Sequence, residues 1–455
     1  MNVFVFLADS LRPDYMGCYG NDWIKTPNMD AFAKRSTMFT RAYSEGMPTL
    51  PARTAMFTGR YTFPFSGWQK LDTTYTTLAE LLWKEEMTSA MITDVHHLHK
   101  PGMGYERGFD FVHFIRGQEG DPFIKDGPLR VPVEDHFKEV EIPEEQIKMY
   151  PGATKLSVEN FRNQLVQYLR NSAHFEKEED FFAAQVVTSA MNWVDAQKRR
   201  DNLFMWIDCF DPHEPWDPPA NYIDLYADRN PGYTGKHLIH PVPMPVEGYL
   251  TPEEEADIRN LYAAEITYVD TWFGKFIAKL EEHGLMENSM IILLSDHGEP
   301  LGSGIHGHGI IRKARSWPYE DLARIPCIIY IPENKKVDVT PAFAETCDVF
   351  PTIMDFLGLE CPDYVHGQNL LPIIKGEKDS VRDFAVAAFH KASWKIRDDR
   401  WSFILFWPDK FGNTAPSELY DLENDQWETN NIIDQHPEIA NRLEVALRSF
   451  AEGLK

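Results

Sequence analysis

Five short apolar runs, Val3 to Ala8, Ser89 to Thr93, Leu203 to Ile207, Met290 to Leu294 and Cys327 to Ile331, are separated by helical patterns. No other feature of the chain constrains its fold as strongly. Runs of this length without polar alternation are apolar on both faces, as strands are in a sheet covered on both sides. The pattern predicts an α/β fold with a large, mostly parallel sheet sandwiched by helices. One helix start is explicit: Thr251-Pro-Glu-Glu254 reads as a capping box with proline at the first helical position. An amphipathic run continues from it towards Leu285 and leads into the Met290 strand.

A chain of 455 residues exceeds what one core usually serves, so two units are expected. Residues 1–339 are assigned to the main α/β domain. Within it, residues 114–177 are rich in charge and proline and read as a variable insertion near the site, suited to setting specificity. Residues 340–455 are assigned to a smaller C-terminal α+β subdomain. There Trp394-Lys-Ile and Trp401-Ser-Phe-Ile-Leu-Phe read as short antiparallel strands, and a last helix begins near Pro437.

The formal net charge of -25 repels polyanions and anionic lipid surfaces, which excludes nucleic acid and membranes as expected partners. A small anionic ester remains compatible where a local cluster of cations, metal included, overcomes the global field. Five cysteines, an odd number without CxxC spacing, read as free buried thiols. The first apolar run is shorter than a signal-peptide core, and no stretch is long enough to span a membrane. A cytoplasmic location is expected. A homo-oligomer is compatible with the sequence.

Ligands of open parallel sheets bind beyond the carboxyl ends of the strands. Asp9 follows the first run, His96 and His97 the second, Asp211 and His213 the third, and Asp296-His297 the fourth. Carboxylates and imidazoles delivered to one edge compose a metal site with room for acid and base groups. In Pro48-Thr49-Leu-Pro51-Ala-Arg53, Pro51 suits a first helical turn, which puts Thr49 at a helix amino terminus whose N–H groups favour an anion. Arg53, one turn on, is a candidate clamp for tetrahedral oxyanion oxygens.

Thr49-Leu-Pro-Ala-Arg53 resembles the Cys/Ser-x-Pro-x-Arg signature of the sulfatase family, in the alkaline phosphatase superfamily, and Phe57-Thr-Gly-Arg60 resembles the block that follows it. Leu7-Ala-Asp9, Thr26-Pro-Asn-Met-Asp30, Arg107-Gly-Phe-Asp110, His213-Glu-Pro215, Ser295-Asp-His-Gly-Glu299, His308-Gly309 with Lys313, and Glu418-Leu-Tyr-Asp-Leu422 match further blocks in the family's order. The resemblance implies an alkaline phosphatase-like fold and a divalent metal bound by Asp9, Asp296 and His297, with Thr49 completing the ligand shell as nucleophile. It further implies that Arg53 holds nucleophile and metal, that His213 protonates the leaving group, and that Lys313 bridges a substrate oxygen. His97 matches the histidine of the family's Gly-Lys-Trp-His-Leu block, the rest of which is absent.

Three positions depart from that pattern. Ser10 stands where many sulfatases carry a ligand aspartate, and His297 stands where they carry asparagine. Two carboxylates, an imidazole and an alkoxide favour Mn²⁺ or Zn²⁺, with Ca²⁺ compatible. Thr49 cannot give formylglycine, because oxidising its secondary alcohol yields a ketone. In this it resembles the threonine nucleophile of nucleotide pyrophosphatase/phosphodiesterases and lipoteichoic acid synthases.

The leading expectation is hydrolysis of a phosphate or phosphonate ester through Thr49. Sulfate-ester hydrolysis on the same residues is the alternative, and a degenerate homologue that binds without turnover is a third reading. A two-metal site would need further ligands, for which Asp211, His213, His306 and His308 are the nearby supply.

Overall fold

The computed structural model describes residues 1–141, 155–303, 308–313, 316–332, 339–408 and 414–454. The strands in chain order are β1 (Asn2–Ala8), β2 (Thr37–Tyr43), β3 (Thr88–Thr93), β4 (Phe111–Phe114) and β5 (Leu203–Cys209). Then come β6 (Met244–Pro245), β7 (Ser289–Leu294), β8 (Leu301–Gly302), β9 (Ile310–Ile311), β10 (Arg324–Tyr330) and β11 (Val339–Glu345). Eight of these form one sheet in the order β11-β2-β10-β7-β1-β5-β3-β4. β10 pairs antiparallel with both neighbours, and the remaining pairings are parallel.

Strand parity builds the two faces. From β1, Phe4, Phe6 and Ala8 join one core with the helices Phe182–Ala196 and Pro252–Glu282. Val3, Val5 and Leu7 join the other, with the helices Thr49–Thr58, Leu78–Lys84 and Val349–Phe356. The long helix begins as its sequence predicts: the Glu254 N–H donates to the Thr251 hydroxyl at 3.2 Å, and the Thr251 N–H to the Glu254 carboxylate at 2.8 Å.

All five apolar runs are strands of the large sheet. β2, β4 and β11 carried no such signal: β2 reads Thr-Met-Phe-Thr-Arg-Ala-Tyr, and β11 contains Pro341 and a register shift between Thr340 and Phe343. Because β11 pairs with β2, residues 339–345 belong to the large sheet. The small antiparallel sheet of β12 (Ala385–Phe389), β13 (Ser393–Arg397), β14 (Trp401–Phe406) and β15 (Glu418–Asp421) starts later than the expected boundary at 340. It packs against the terminal helix Pro437–Gly453. The segment read as an insertion contains a helix, Lys155–Asn171, and residues 142–154 of it lie outside the described residues. All five cysteines are free. No helix among the described residues is long and apolar enough to cross a membrane.

Candidate active site

β7, β1, β5 and β3 are consecutive and parallel, so their carboxyl ends share one edge. Asp9 leaves β1 and Asp296-His297 follow β7. The Ser295 hydroxyl stitches the two exits, donating to the Ala8 and His297 carbonyls at 2.7 and 2.8 Å and accepting the Leu11 N–H at 2.9 Å. Ser10 turns in the left-handed region (φ 61°), which aims its N–H at Asp296 Oδ1 (3.0 Å) and its hydroxyl at Asp9 Oδ1 (2.9 Å). The Tyr262 hydroxyl holds the Ser10 carbonyl at 2.6 Å. Ser10 thus positions two carboxylates from a place where many sulfatases carry a ligand.

Asp9, Asp296 and His297 are fully buried, and their ligand atoms lie within 4.8 Å of one another. His297 Nδ1 donates to the Gly298 carbonyl at 2.8 Å, which leaves the Nε2 lone pair facing Asp296 Oδ2 (3.5 Å), Asp9 Oδ1 (3.8 Å) and Thr49 Oγ1 (3.5 Å). Burial lowers the His297 pKa to about 4, so the ring is neutral, as a ligand must be.

Thr49 opens the helix Thr49–Thr58. Arg53, one turn on, is fully buried and spent on protein partners. Nε and Nη2 bind Asp208 (2.8 and 2.6 Å), Nη1 binds Asp296 (2.5 Å) and the Thr49 carbonyl (3.1 Å), and Nη2 also reaches Asp9 (3.1 Å). This corrects the expectation of an oxyanion clamp, because every guanidinium nitrogen already faces a carboxylate. Arg53 positions the carboxylates and the start of the helix that carries Thr49.

One guanidinium against three carboxylates leaves two negative charges unbalanced in a dry interior. The imbalance is visible in the titration of the pair: burial and Asp296 push the Asp9 carboxyl well up, while His297 and Arg53 outweigh burial and hold Asp296 down. A divalent cation among these three donors fits both the charge and the ligand chemistry.

Lys313 lies near enough to act electrostatically on both this cluster and His213. His213 Nδ1 donates to the Glu214 carbonyl at 2.7 Å and its ring lies 4.1 Å from that of Phe210. Burial lowers its pKa to about 3. Lys313 pairs with Glu299 and lies 3.6 Å from Glu214, and these two carboxylates outweigh burial to keep it charged. Its charge acts on Asp9, His213 and His297.

His97 reaches this edge, but its Nε2 faces Glu119 at 3.3 Å and its ring packs on Trp68. Asp211 and His308 turn elsewhere. Asp211 accepts from Gln118 Nε2 (2.8 Å) and the Ala183 N–H (3.1 Å), and His308 stacks on Tyr319 and bonds the Trp427 carbonyl. His306 lies outside the described residues. Sequence reasoning missed Asp208, Glu119, Glu214 and Glu299. Asp208 had a readable signal, as the first charge at the end of an apolar strand.

A mostly parallel α/β sheet thus gathers carboxylates and an imidazole able to hold a cation at one edge, beside a hydroxyl at a helix start, where open α/β sheets bind their ligands. Comparison with known proteins narrows this. The sulfatase family model matches residues 1–359, and a model described as N-sulphoglucosamine sulphohydrolase, C-terminal, matches residues 307–452. The chain therefore belongs to the sulfatase family. An arylsulfatase of Clostridium perfringens (strain 13 / Type A) is 25% identical, with 99% of this chain and 94% of that protein covered. Arylsulfatase K of Bos taurus is 23% identical over 99% of this chain and 81% of its own length. Among solved structures, a phosphonate monoester hydrolase of Agrobacterium radiobacter superposes with a TM-score of 0.71 at 20% identity, covering 99% of this chain and 96% of that one. That likeness shows the fold.

Proposed function

We propose that the protein hydrolyses singly charged phosphate or phosphonate esters, phosphodiesters or phosphonate monoesters, with Thr49 as nucleophile. The observation that carries this reading is the unmodified threonine hydroxyl, 3.5 Å from His297 Nε2, at the corner formed by Asp9, Asp296 and His297. A divalent cation held there, Mn²⁺ or Zn²⁺ by the donor set, lowers the hydroxyl pKa and neutralises charge on the ester.

Thr49 Oγ1 forms a bond to phosphorus as the bond to the leaving oxygen breaks. The hydroxyl proton departs to water, and the leaving oxygen takes a proton from His213 in its imidazolium form, which an anionic ester beside it favours. Water then attacks the phosphothreonine, neutral His213 accepts its proton, and the Oγ1–P bond breaks as Oγ1 takes a proton back from solvent, which restores the Thr49 hydroxyl. Lys313 offsets charge on a non-bridging oxygen. The second step separates phosphate from sulfate chemistry, since formylglycine sulfatases release sulfate by collapse of a hemiacetal that a threonine cannot form. Sulfate-ester hydrolysis on the same residues is the second reading, favoured by the arylsulfatase relatives.

With Mn²⁺ or Zn²⁺ supplied, aryl phosphodiesters or phosphonate monoesters are expected to show higher kcat/KM than aryl sulfates. A tenfold preference for sulfate, about 1.4 kcal/mol the other way, would establish the second reading. Thr49→Ala should lower turnover by several orders of magnitude with the fold intact. Thr49→Cys, co-expressed with a formylglycine-generating enzyme, should move the ratio towards sulfate.

A further inference from the structure

Beyond the Asp9 site, a second group of ligand-type side chains meets at the exit of β3. His96 and His97 follow that strand, and Glu119 arrives from the segment after β4 with φ 48°, a left-handed conformation unusual for glutamate. The segment is anchored from both sides. Gln118 Nε2 donates to Asp211 Oδ1 at 2.8 Å, and Arg116 forks onto Asp121 with two bonds of 2.7 Å.

Glu119 Oε2 stands 3.3 Å from His97 Nε2 and 3.5 Å from His96 Nδ1. His96 is 6% and Glu119 7% exposed. Both His96 Nδ1 and Glu119 Oε2 are buried without a hydrogen-bond partner among the described residues. Two orphaned polar atoms aimed at the same point are costly unless something joins them. Zinc bonded to nitrogen and oxygen at about 2.0–2.1 Å in a tetrahedron sets its ligand atoms about 3.3 Å apart, close to both separations.

We propose that His96 Nδ1, His97 Nε2 and Glu119 Oε2 form a second divalent-cation site of the zinc class, with a fourth position for water or ligand. Two imidazoles and one carboxylate carry less charge than the Asp9 site and select a borderline cation over calcium. His97 and His213 flank the Phe210 ring at 6.4 and 4.1 Å, so a cation here borders the leaving-group side of the pocket. The competing arrangement is a hydrogen bond from His97 Nε2 to Glu119, with exposed Lys100 3.4 Å from His97 Nδ1. Ligation instead requires the His97 proton on Nδ1 and Lys100 turned away.

The test is zinc stoichiometry on the full chain, stripped with chelator and dialysed against Zn²⁺. Two zinc ions per wild-type chain are expected, one in Glu119→Gln, one in Asp296→Asn and none in the double variant. Half-buried His97→Asn serves as a second probe of the new site, with circular dichroism reporting folding of each variant. A wild-type count of one that Asp296→Asn abolishes overturns the proposal, as does a count of two that survives in both Glu119→Gln and His97→Asn. The wild-type count needs no variant, and loss of one site leaves the other readable.

Discussion

Arg53 and Asp208 face each other through two parallel hydrogen bonds, Nε to Oδ2 at 2.8 Å and Nη2 to Oδ1 at 2.6 Å, with both side chains fully buried. The fork fixes the plane of the guanidinium, and that plane delivers Nη1 to Asp296 and Nη2 to Asp9. Asp208 therefore orients Asp9 and Asp296 without itself joining their cluster with His297. Asp208→Asn preserves shape and removes the charge, and breaking a buried pair this way is expected to cost about 3–5 kcal/mol in denaturant unfolding, with turnover falling as well. Arg53→Lys should behave similarly, because an ammonium cannot span the fork. Wild-type stability in both variants would contradict this anchoring.

Removing the metal should expose the crowding of Asp9 and Asp296. Since burial and Asp296 push the Asp9 carboxyl up, an amide there relieves the crowding of the pair as it removes the bond to Arg53. Asp9→Asn is expected to change the stability of the chelated protein by under about 1 kcal/mol. The same substitution should remove the share of the metal's stabilisation that this site supplies, about 2.7 kcal/mol at free metal a hundredfold above its Kd. Melting curves with and without metal measure both.

Glu45 braces the approach to the Thr49 helix. It is fully buried, and its Oε1 accepts from the Thr62 N–H at 2.9 Å and the Thr62 hydroxyl at 2.7 Å. Burial pushes its carboxyl up from 4.5 to about 8. Between those values the native state holds a proton that the unfolded chain has lost, so this group's contribution is full below 4.5 and declines as pH rises through about 8. Glu45→Gln removes the slope, and its Tm relative to wild type should rise between about pH 5 and about pH 8.5. Parallel curves for the two proteins would exclude a buried neutral carboxyl.

Gly59 ends the Thr49 helix in the left-handed region at φ 66°, where its carbonyl accepts the His366 and Gly367 N–H groups at 2.8 and 2.9 Å. A Cβ there would stand 2.7 Å from Val365 Cγ1 and 3.0 Å from Phe350 Cγ. Gly59→Ala combines left-handed strain with overpacking and is expected to destabilise by about 2–4 kcal/mol. Activity per folded molecule should persist, since no site group moves. Denaturant unfolding alongside active-site titration separates the two effects.

The sheet and the delivery of Asp9 and Asp296-His297 to its edge were legible from local signals, whereas the joining of Thr49 to them was implied by the family signature. Apolar runs without alternation mark doubly covered strands, the residue after such a strand lies at the sheet edge, and Pro51 suits a first helical turn. β2, β4 and β11 were not legible, because polar, short or proline-bearing strands owe their pairing to neighbours far away in the chain.

The direction in which each edge residue points was decided only in three dimensions. Asp208 shares the face of Phe204 and Trp206, where the Thr49 helix packs, and so it meets Arg53, 155 positions away. Asp211, three residues on, faces Gln118 and the start of the helix Phe182–Ala196. Charge and spacing made Asp211 a candidate and passed over Asp208, which directly follows the apolar run Leu203 to Ile207. By itself the sequence determined which residues reach the edge, because strand and helix periods are local. Which of them converge was decided by strand register, the left-handed turns at Ser10 and Glu119, and the order of strands in the sheet, all set by contacts between distant segments.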